Sequence, residues 1–243
     1  MNIFAAIRER IGMVIAAVIG AVVLLGCGAV LVFILAPQQK LEALHIEKMP
    51  LVDAGGAEAA AVSEELLVTG RLEDNPLMDE GGFVAYKLDE WVVTLPDDDD
   101  TDSDPDGDWK TVEKVVPDLT LNVNGEIVWT LAADDATLSG PLHEDLIYSD
   151  AYDEAKYNGE WVPHGSLRLR GFFNGDLITA LGKKASTGEI IPEELYAGDR
   201  VAFADSKHAA AKGLLTGGII MMICSPVALV GGVLAALFGR RRR

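Results

Sequence analysis

The distribution of apolar and polar positions divides the chain into stretches of different kinds. Ile11–Ala36 and Gly213–Phe238 contain no acid or base. As helices each would rise about 39 Å at about 1.5 Å per residue, more than the roughly 30 Å hydrocarbon core of a bilayer. Both read as spanning helices. Glycines recur in the first (Gly20, Gly26, Gly28) and in the second (Gly217, Gly218, Gly231, Gly232). Small residues let helices approach closely in lipid, which predicts a packed hairpin and a surface for association between copies. Pro226 is expected to kink the second span. No charged side chain lies within either span, which argues against a transporter or proton relay.

Between the spans the pattern changes. Residues 37–63 are poor in strand formers and carry Gly55-Gly56 beside an alanine cluster, which predicts a juxtamembrane helix followed by a linker. From 64 onward, short runs of β-forming residues alternate with turn residues: Leu66–Leu72, Phe83–Leu88 continued by Trp91–Leu95, and Thr111–Val116 read as strands. Leu119–Val123, Asn124-Gly125 and Glu126–Leu131 give the clearest local signal, because Asn-Gly supplies the two positive φ angles of a type I′ hairpin turn. Ser166–Arg170 alternates strictly, Asp176–Gly182 follows a Gly-Asp turn, Gly188–Pro192 reads as a turn, and Arg200–Phe203 as a last strand. Alanine-rich Ser206–Lys212 is expected to run as helix into the second span. The expected fold class is a mainly β (α+β) domain, barrel-like or sandwich-like, over 64–206. It is inserted between transmembrane helices at 11–36 and 213–238, with a juxtamembrane helix at 207–212 and tails at 1–10 and 239–243.

Charge sharpens this partition. Of 38 acids only Glu9 lies outside 37–212, against 14 of the 20 bases inside it, a net charge of −23 for that segment. A surface so anionic repels nucleic acid, so the expected partners are the lipid bilayer and a protein, not nucleic acid. Both cysteines, Cys27 and Cys224, fall within the spans, leaving neither a disulfide framework nor a thiolate zinc cluster for the segment between. Arg8 and Arg10 precede the first span and Arg240–Arg243 follow the second, so both termini are expected in the cytoplasm and the middle outside it. Lys40, Lys48, Arg200, Lys207 and Lys212 oppose that assignment, but the contiguous arginines abut the bilayer. Leu24-Leu25-Gly26-Cys27 has the form of a lipoprotein processing box, yet apolar residues continue to Leu35, as in an uncleaved anchor rather than a signal of about 7 to 15 apolar residues.

Catalytic apparatus is not legible. No Gly-x-Ser-x-Gly elbow, phosphate-binding loop or His-Glu-x-x-His helix occurs. His45, His143, His164 and His208 have no metal-ligand spacing. Carboxylate pairs such as Glu193-Glu194 and Asp134-Asp135 read as solvated surface. The acidic loop 97–108 runs into Glu113, and Asp102, Asp104, Asp106 and Glu113 fit the spelling of a calcium loop, with Gly107 at the turn position. So aspartate-rich a run produces such a match easily, and β-type segments flank it where helices are needed. The preferred reading is an acidic solvated loop, with calcium as the sole cofactor candidate.

The order of these features resembles the GIDE domain, also called the beside-a-membrane (BAM) domain, of prokaryotic membrane proteins and mitochondrial RING-type ubiquitin ligases. The resemblance is carried by Leu67–Arg71 with Pro76-Leu77, the aromatic strand Phe83–Tyr86, and Trp109 after an acidic insertion. It continues through the Asn-Gly unit over Leu119–Ala136, Leu167–Arg170, Gly175–Gly182 and the span that follows. It implies a domain held between two helices outside the cytoplasm. The ligases carry a RING after the last span, whose two zinc ions need Cys and His ligands that this sequence does not supply, so ligase activity is not expected to transfer. The expectation is a non-enzymatic, membrane-tethered binding or scaffolding module.

Overall fold

The computed structural model describes residues 3–79, 81–95 and 104–238. It forms two compact units, one of helices from both ends of the chain and one spanning Lys48–Phe203.

In the helical unit, α1 (Ile3–Val30) passes through a π-helical turn (Leu31–Leu35) into α2 (Ala36–Lys48), and α4 runs unbroken from Arg200 to Phe238. Both are long and apolar enough to cross a membrane, and most of each apolar window is unburied. Ile19, Val22, Val23, Ile223 and Val227 are each more than half exposed, a surface suited to lipid rather than water.

Small residues set how the helices meet. On α4 they recur every seventh position, as Ala204, Ala211, Gly218, Ser225 and Gly232, and the first four of these are buried. Gly28 faces Gly218 so closely that a Cβ on Gly28 would lie 2.7 Å from the Gly218 carbonyl oxygen. One heptad along, Ser225 Oγ donates to the Ala21 carbonyl at 2.7 Å, and beyond it Gly232 lies against Ala17. A seven-residue repeat keeps one seam turned toward its partner. On the opposing helix Ala21 and Gly28 are seven apart, as are Ala36 and Ala43, but Gly28 and Ala36 are separated by eight. The π-turn lies in that interval, and its i→i+5 bonding absorbs one extra residue, so the seam stays in register. The expected packed hairpin is therefore present, but of the glycines expected to line it only Gly28, Gly218 and Gly232 meet the other helix, and Gly20, Gly26, Gly217 and Gly231 have nothing within 4 Å.

The second unit is mainly β, as expected. A short helix, α3 (Ala54–Ala59), is capped by Asp53, whose Oδ1 accepts from Gly56 N at 2.7 Å. Five strands, β1 (Glu65–Leu72), β4 (Leu119–Val123), β5 (Glu126–Thr130), β11 (Leu177–Lys184) and β12 (Ile190–Ala197), close into a barrel. The circle runs β1-β4-β5-β12-β11 and back to β1; β5 and β12 pair in parallel and the other neighbours antiparallel. Numbered within the barrel the order is 1-2-3-5-4, that of an OB-type Greek-key barrel. Alternate positions on β1, β4 and β11 point inward, so Leu66, Val68, Leu121, Val123, Ile178 and Ala180 fill the centre with Ala57 of α3. The Asn124-Gly125 turn forms as expected, with φ of 57° and 94°.

Two insertions interrupt the barrel. β2 (Ala85–Thr94) and β3 (Asp106–Val115) form a long hairpin between β1 and β4. Between β5 and β11 the chain adds β6 (Thr137–Ser139), β7 (His143–Ile147), β8 (Glu154–Tyr157), β9 (Glu160–Pro163) and β10 (Leu167–Phe172). β3, β2, β10 and β7 make a four-stranded antiparallel sheet, β6 extends the barrel beside β12, and β8–β9 is a separate hairpin.

Two expectations are corrected. Arg200–Phe203 is the first turn of α4 rather than a strand: Asp199 Oδ1 accepts from Ala202 N at 2.8 Å, an N-cap that outweighs the β-forming character of Val201 and Phe203. The barrel's last strand is Ile190–Ala197, so the turn expected at Gly188–Pro192 ends at Glu189, and Ile190, Ile191 and Pro192 belong to the strand. Pro192 is tolerated because its partner on β11 is Gly182, at a shift in register.

Candidate functional site: the acidic hairpin and its brace

The β2 and β3 strands flank the acid-rich segment, of which residues 96–103 lie outside the described residues. The strands pair from Tyr86↔Val115 to Thr94↔Asp106, with Val112 bulged out opposite the Leu88/Asp89 step. In a strand alternate residues share a face. Asp89 and Trp91 therefore point to one side, joined by Trp109 across the ladder and by Arg168 and Arg170 from β10.

That face is covered, not solvated. Trp91, Ala155 and Val162 are buried together, with Val93, Trp109 and Tyr157 packed around them, so the β8–β9 hairpin lies over β2–β3. The Trp91 and Trp109 rings are 5.0 Å apart, and Tyr157 meets each edge-on at 5.6 Å. The Arg168 guanidinium lies 4.3 Å from the Trp109 ring centre and 5.4 Å from that of Tyr157, and Nη1 donates to the Tyr157 hydroxyl at 2.7 Å. Gly107 is required where it stands, because any Cβ there would collide with the Trp91 ring.

Asp89 anchors the charge. Only 1% exposed, it accepts from Thr111 Oγ1 at 2.7 Å, Arg168 Nη2 at 3.0 Å, and Arg170 Nη2 and Nε at 2.7 and 3.1 Å. Burial alone would push its carboxyl upward, but the hydrogen bonds from Thr111, Arg170 and Arg168 outweigh it and hold the group below the usual carboxylate range. Lys87, the cross-strand neighbour of Arg170, is lowered by burial and then by the charge of Arg170.

The calcium-loop residues do not converge. Asp102 lies outside the described residues. Asp104 pairs with Lys156 at 3.3 Å, Asp106 Oδ1 accepts from Gly107 N at 2.9 Å, and Glu113 lies opposite Leu88 on the ladder. Asp106 and Glu113 sit on one extended strand, which at about 3.3 Å per residue separates them by roughly 20 Å. The 12-residue loop that would gather these carboxylates is replaced by a β-ladder. Among the described residues no group of three or more His, Cys, Asp or Glu is placed to hold a metal ion.

The other sequence candidates are dispersed. His143 lies 3.1 Å from Asp176 and stacks on Phe173, His164 Nδ1 accepts from Val93 N, and His208 contacts Glu47. Glu193 pairs with Lys183, and the next residue, Glu194, accepts from Ser139 Oγ at 2.7 Å.

Two features had no sequence signal. Asn75, 5% exposed, donates to Thr120 O and Asn174 Oδ1 and accepts from Thr120 N, tying the segment after β1 to β4 and to the β10–β11 turn. A shallow groove of about 460 Å³ lies on the barrel, lined by Asp53, Thr69, Arg71, Asn122, Asn124 and apolar neighbours. Their contributors are distant in sequence, and no local pattern connects them.

No family model, curated protein or solved structure matches the chain. What the fold defines is a class. Two long apolar helices fit a two-span membrane protein, and the chain between them folds into a closed β barrel with an added antiparallel sheet.

Proposed function

We propose that this chain is a membrane-tethered binding or scaffolding module of the GIDE (BAM) type, non-enzymatic, which displays an acidic hairpin outside the cytoplasm. The observation that carries the reading is the braced hairpin. A solvated acidic loop needs no support, yet β2 and β3 are held by a buried Asp89–Arg168–Arg170 cluster and a three-ring aromatic stack. Braced strands that themselves carry Asp106 and Asp108 lose less entropy when a partner engages them. The chemistry that would recognise them is a cationic segment of another membrane-associated protein.

The outward orientation follows from Arg240–Arg243 next to the second span, with Arg8 and Arg10 before the first. Family type is supported by the order of the resembling segments: Leu67–Arg71 falls on β1, Trp109 on β3, the Asn-Gly unit on β4–β5, and Leu167–Arg170 on β10.

The test replaces Asp97–Asp100 and Asp102 by asparagine in the full chain and crosslinks native membranes. Loss of one discrete crosslinked protein, with the rest of the pattern kept, supports the reading. An identical set of crosslinked proteins refutes the loop as the contact. Protease added to intact cells should cut the central segment, and cleavage confined to inverted vesicles would refute the orientation.

A further inference from the structure

The first charged residues that follow the apolar runs on the side of the β unit are lysines on both helices: Lys40 after Ile11–Ala36, and Lys212 before Gly213–Phe238. The structure brings them to one cleft. It measures about 350 Å³, and Val32, Ala36, Ala211 and Leu215 line it with Lys40, Lys212 and His208. The neighbouring acids are already engaged: Glu42 pairs with Lys207 at 3.4 Å and Glu47 contacts His208 at 2.9 Å. Among the described residues neither Lys40 nor Lys212 has an ion-pair partner.

An apolar cleft between two long apolar helices, flanked by two exposed cations, fits one occupant. We infer that it binds an anionic phospholipid, its phosphate between the Lys40 and Lys212 ammonium groups and one acyl chain along Val32, Ala36 and Leu215. Charge complementarity selects the occupant: Lys40 and Lys212 flank an apolar cleft at the ends of the two charge-free runs, the level at which a spanning helix meets phospholipid headgroups. Size agrees, since at roughly 30 Å³ per water-sized group the cleft holds about a dozen such groups, the top of one lipid rather than a whole one. The π-turn at Leu31–Leu35 and Pro37 just after it border the cleft, so its shape is a property of the helix irregularity.

This rests on the membrane-spanning reading, and the test separates the two. The full chain in zwitterionic detergent is titrated with dioleoyl phosphatidylglycerol or dioleoyl phosphatidylcholine, which differ only in headgroup, and bound lipid is counted by native mass spectrometry. The expected preference for phosphatidylglycerol is about thirtyfold, from about fivefold per lysine near a phosphate. It should vanish in Lys40→Gln/Lys212→Gln and persist in the control Lys110→Gln/Lys114→Gln, with helix content followed by circular dichroism. Equal retention of the two lipids by the unaltered chain overturns the inference, as does a preference that survives the double substitution. A chain extracted from membranes by alkaline carbonate overturns the spanning reading itself. One that stays embedded without a preference overturns the lipid site alone.

Discussion

Replacing Asp89 by alanine isolates what the buried charge cluster contributes. The carboxylate receives four side-chain hydrogen bonds, three of them from guanidinium groups, and Arg168 is only 4% exposed, so removing the carboxylate strands a buried cation. A unit-charge pair about 4 Å apart is worth about 4 kcal/mol at an effective dielectric of 20. Breaking a buried pair by removing one partner costs about 3 to 5 kcal/mol. The Arg170 side chain, 28% exposed, recovers water and adds little. We expect Asp89→Ala to destabilise the β unit by about 4 kcal/mol at neutral pH. The assay is denaturant unfolding of the full chain in detergent followed by tryptophan fluorescence, because Trp91, Trp109, Trp129 and Trp161 all lie in that unit. The partner test is Asp89→Ala/Arg168→Met, which removes the stranded charge and should recover about 1 to 3 kcal/mol. A double variant as unstable as the sum of its two single substitutions would refute the argument. The sign with pH is fixed: the folded carboxyl is depressed below about 3.9, so its contribution is complete above that value. It is lost as pH falls through the folded value, and Asp89→Asn should flatten this acid limb.

Further expectations concern other elements. Gly125→Val forces a branched side chain to φ of 94° and should cost about 1 to 2 kcal/mol by the same fluorescence assay. Asn75→Leu strands the half-buried Thr120 amide, while Glu73 N still donates to the Thr120 carbonyl; a loss of about 1 to 3 kcal/mol is expected, and one below about 0.5 would show that the hub is dispensable. Gly232→Leu should force α4 away from α1, because even a Cβ at that position would collide with the Ala17 Cβ, and limited proteolysis of the full chain in detergent should then run faster. Gly218→Leu should act in the same way, because a side chain there meets the Gly28 carbonyl, and a proteolysis rate unchanged in both variants would show that the seam is not tightly packed.

What could be read from the sequence was what depends on neighbours a few positions apart. Charge-free runs the length of a bilayer can be only a few things, and Asn124-Gly125 between alternating runs encodes its own turn. Leu167–Arg170 announced a strand with both arginines on one face, but not that β8–β9 covers that face and buries Arg168 against Trp109 and Asp89. Val201 and Phe203 look like strand formers, yet they begin a helix because the Asp199 side chain supplies the missing hydrogen bond.

Barrel closure, the Asn75 hub and the lysine-flanked cleft depend on segments 40 to 170 positions apart, whose proximity no local periodicity records. The seven-residue spacing of small residues on α4 was present in the letters all along. Its match on α1–α2 was hidden by one extra residue, which only the packed helices absorb, as a π-turn, because losing the seam would cost more than straining one turn.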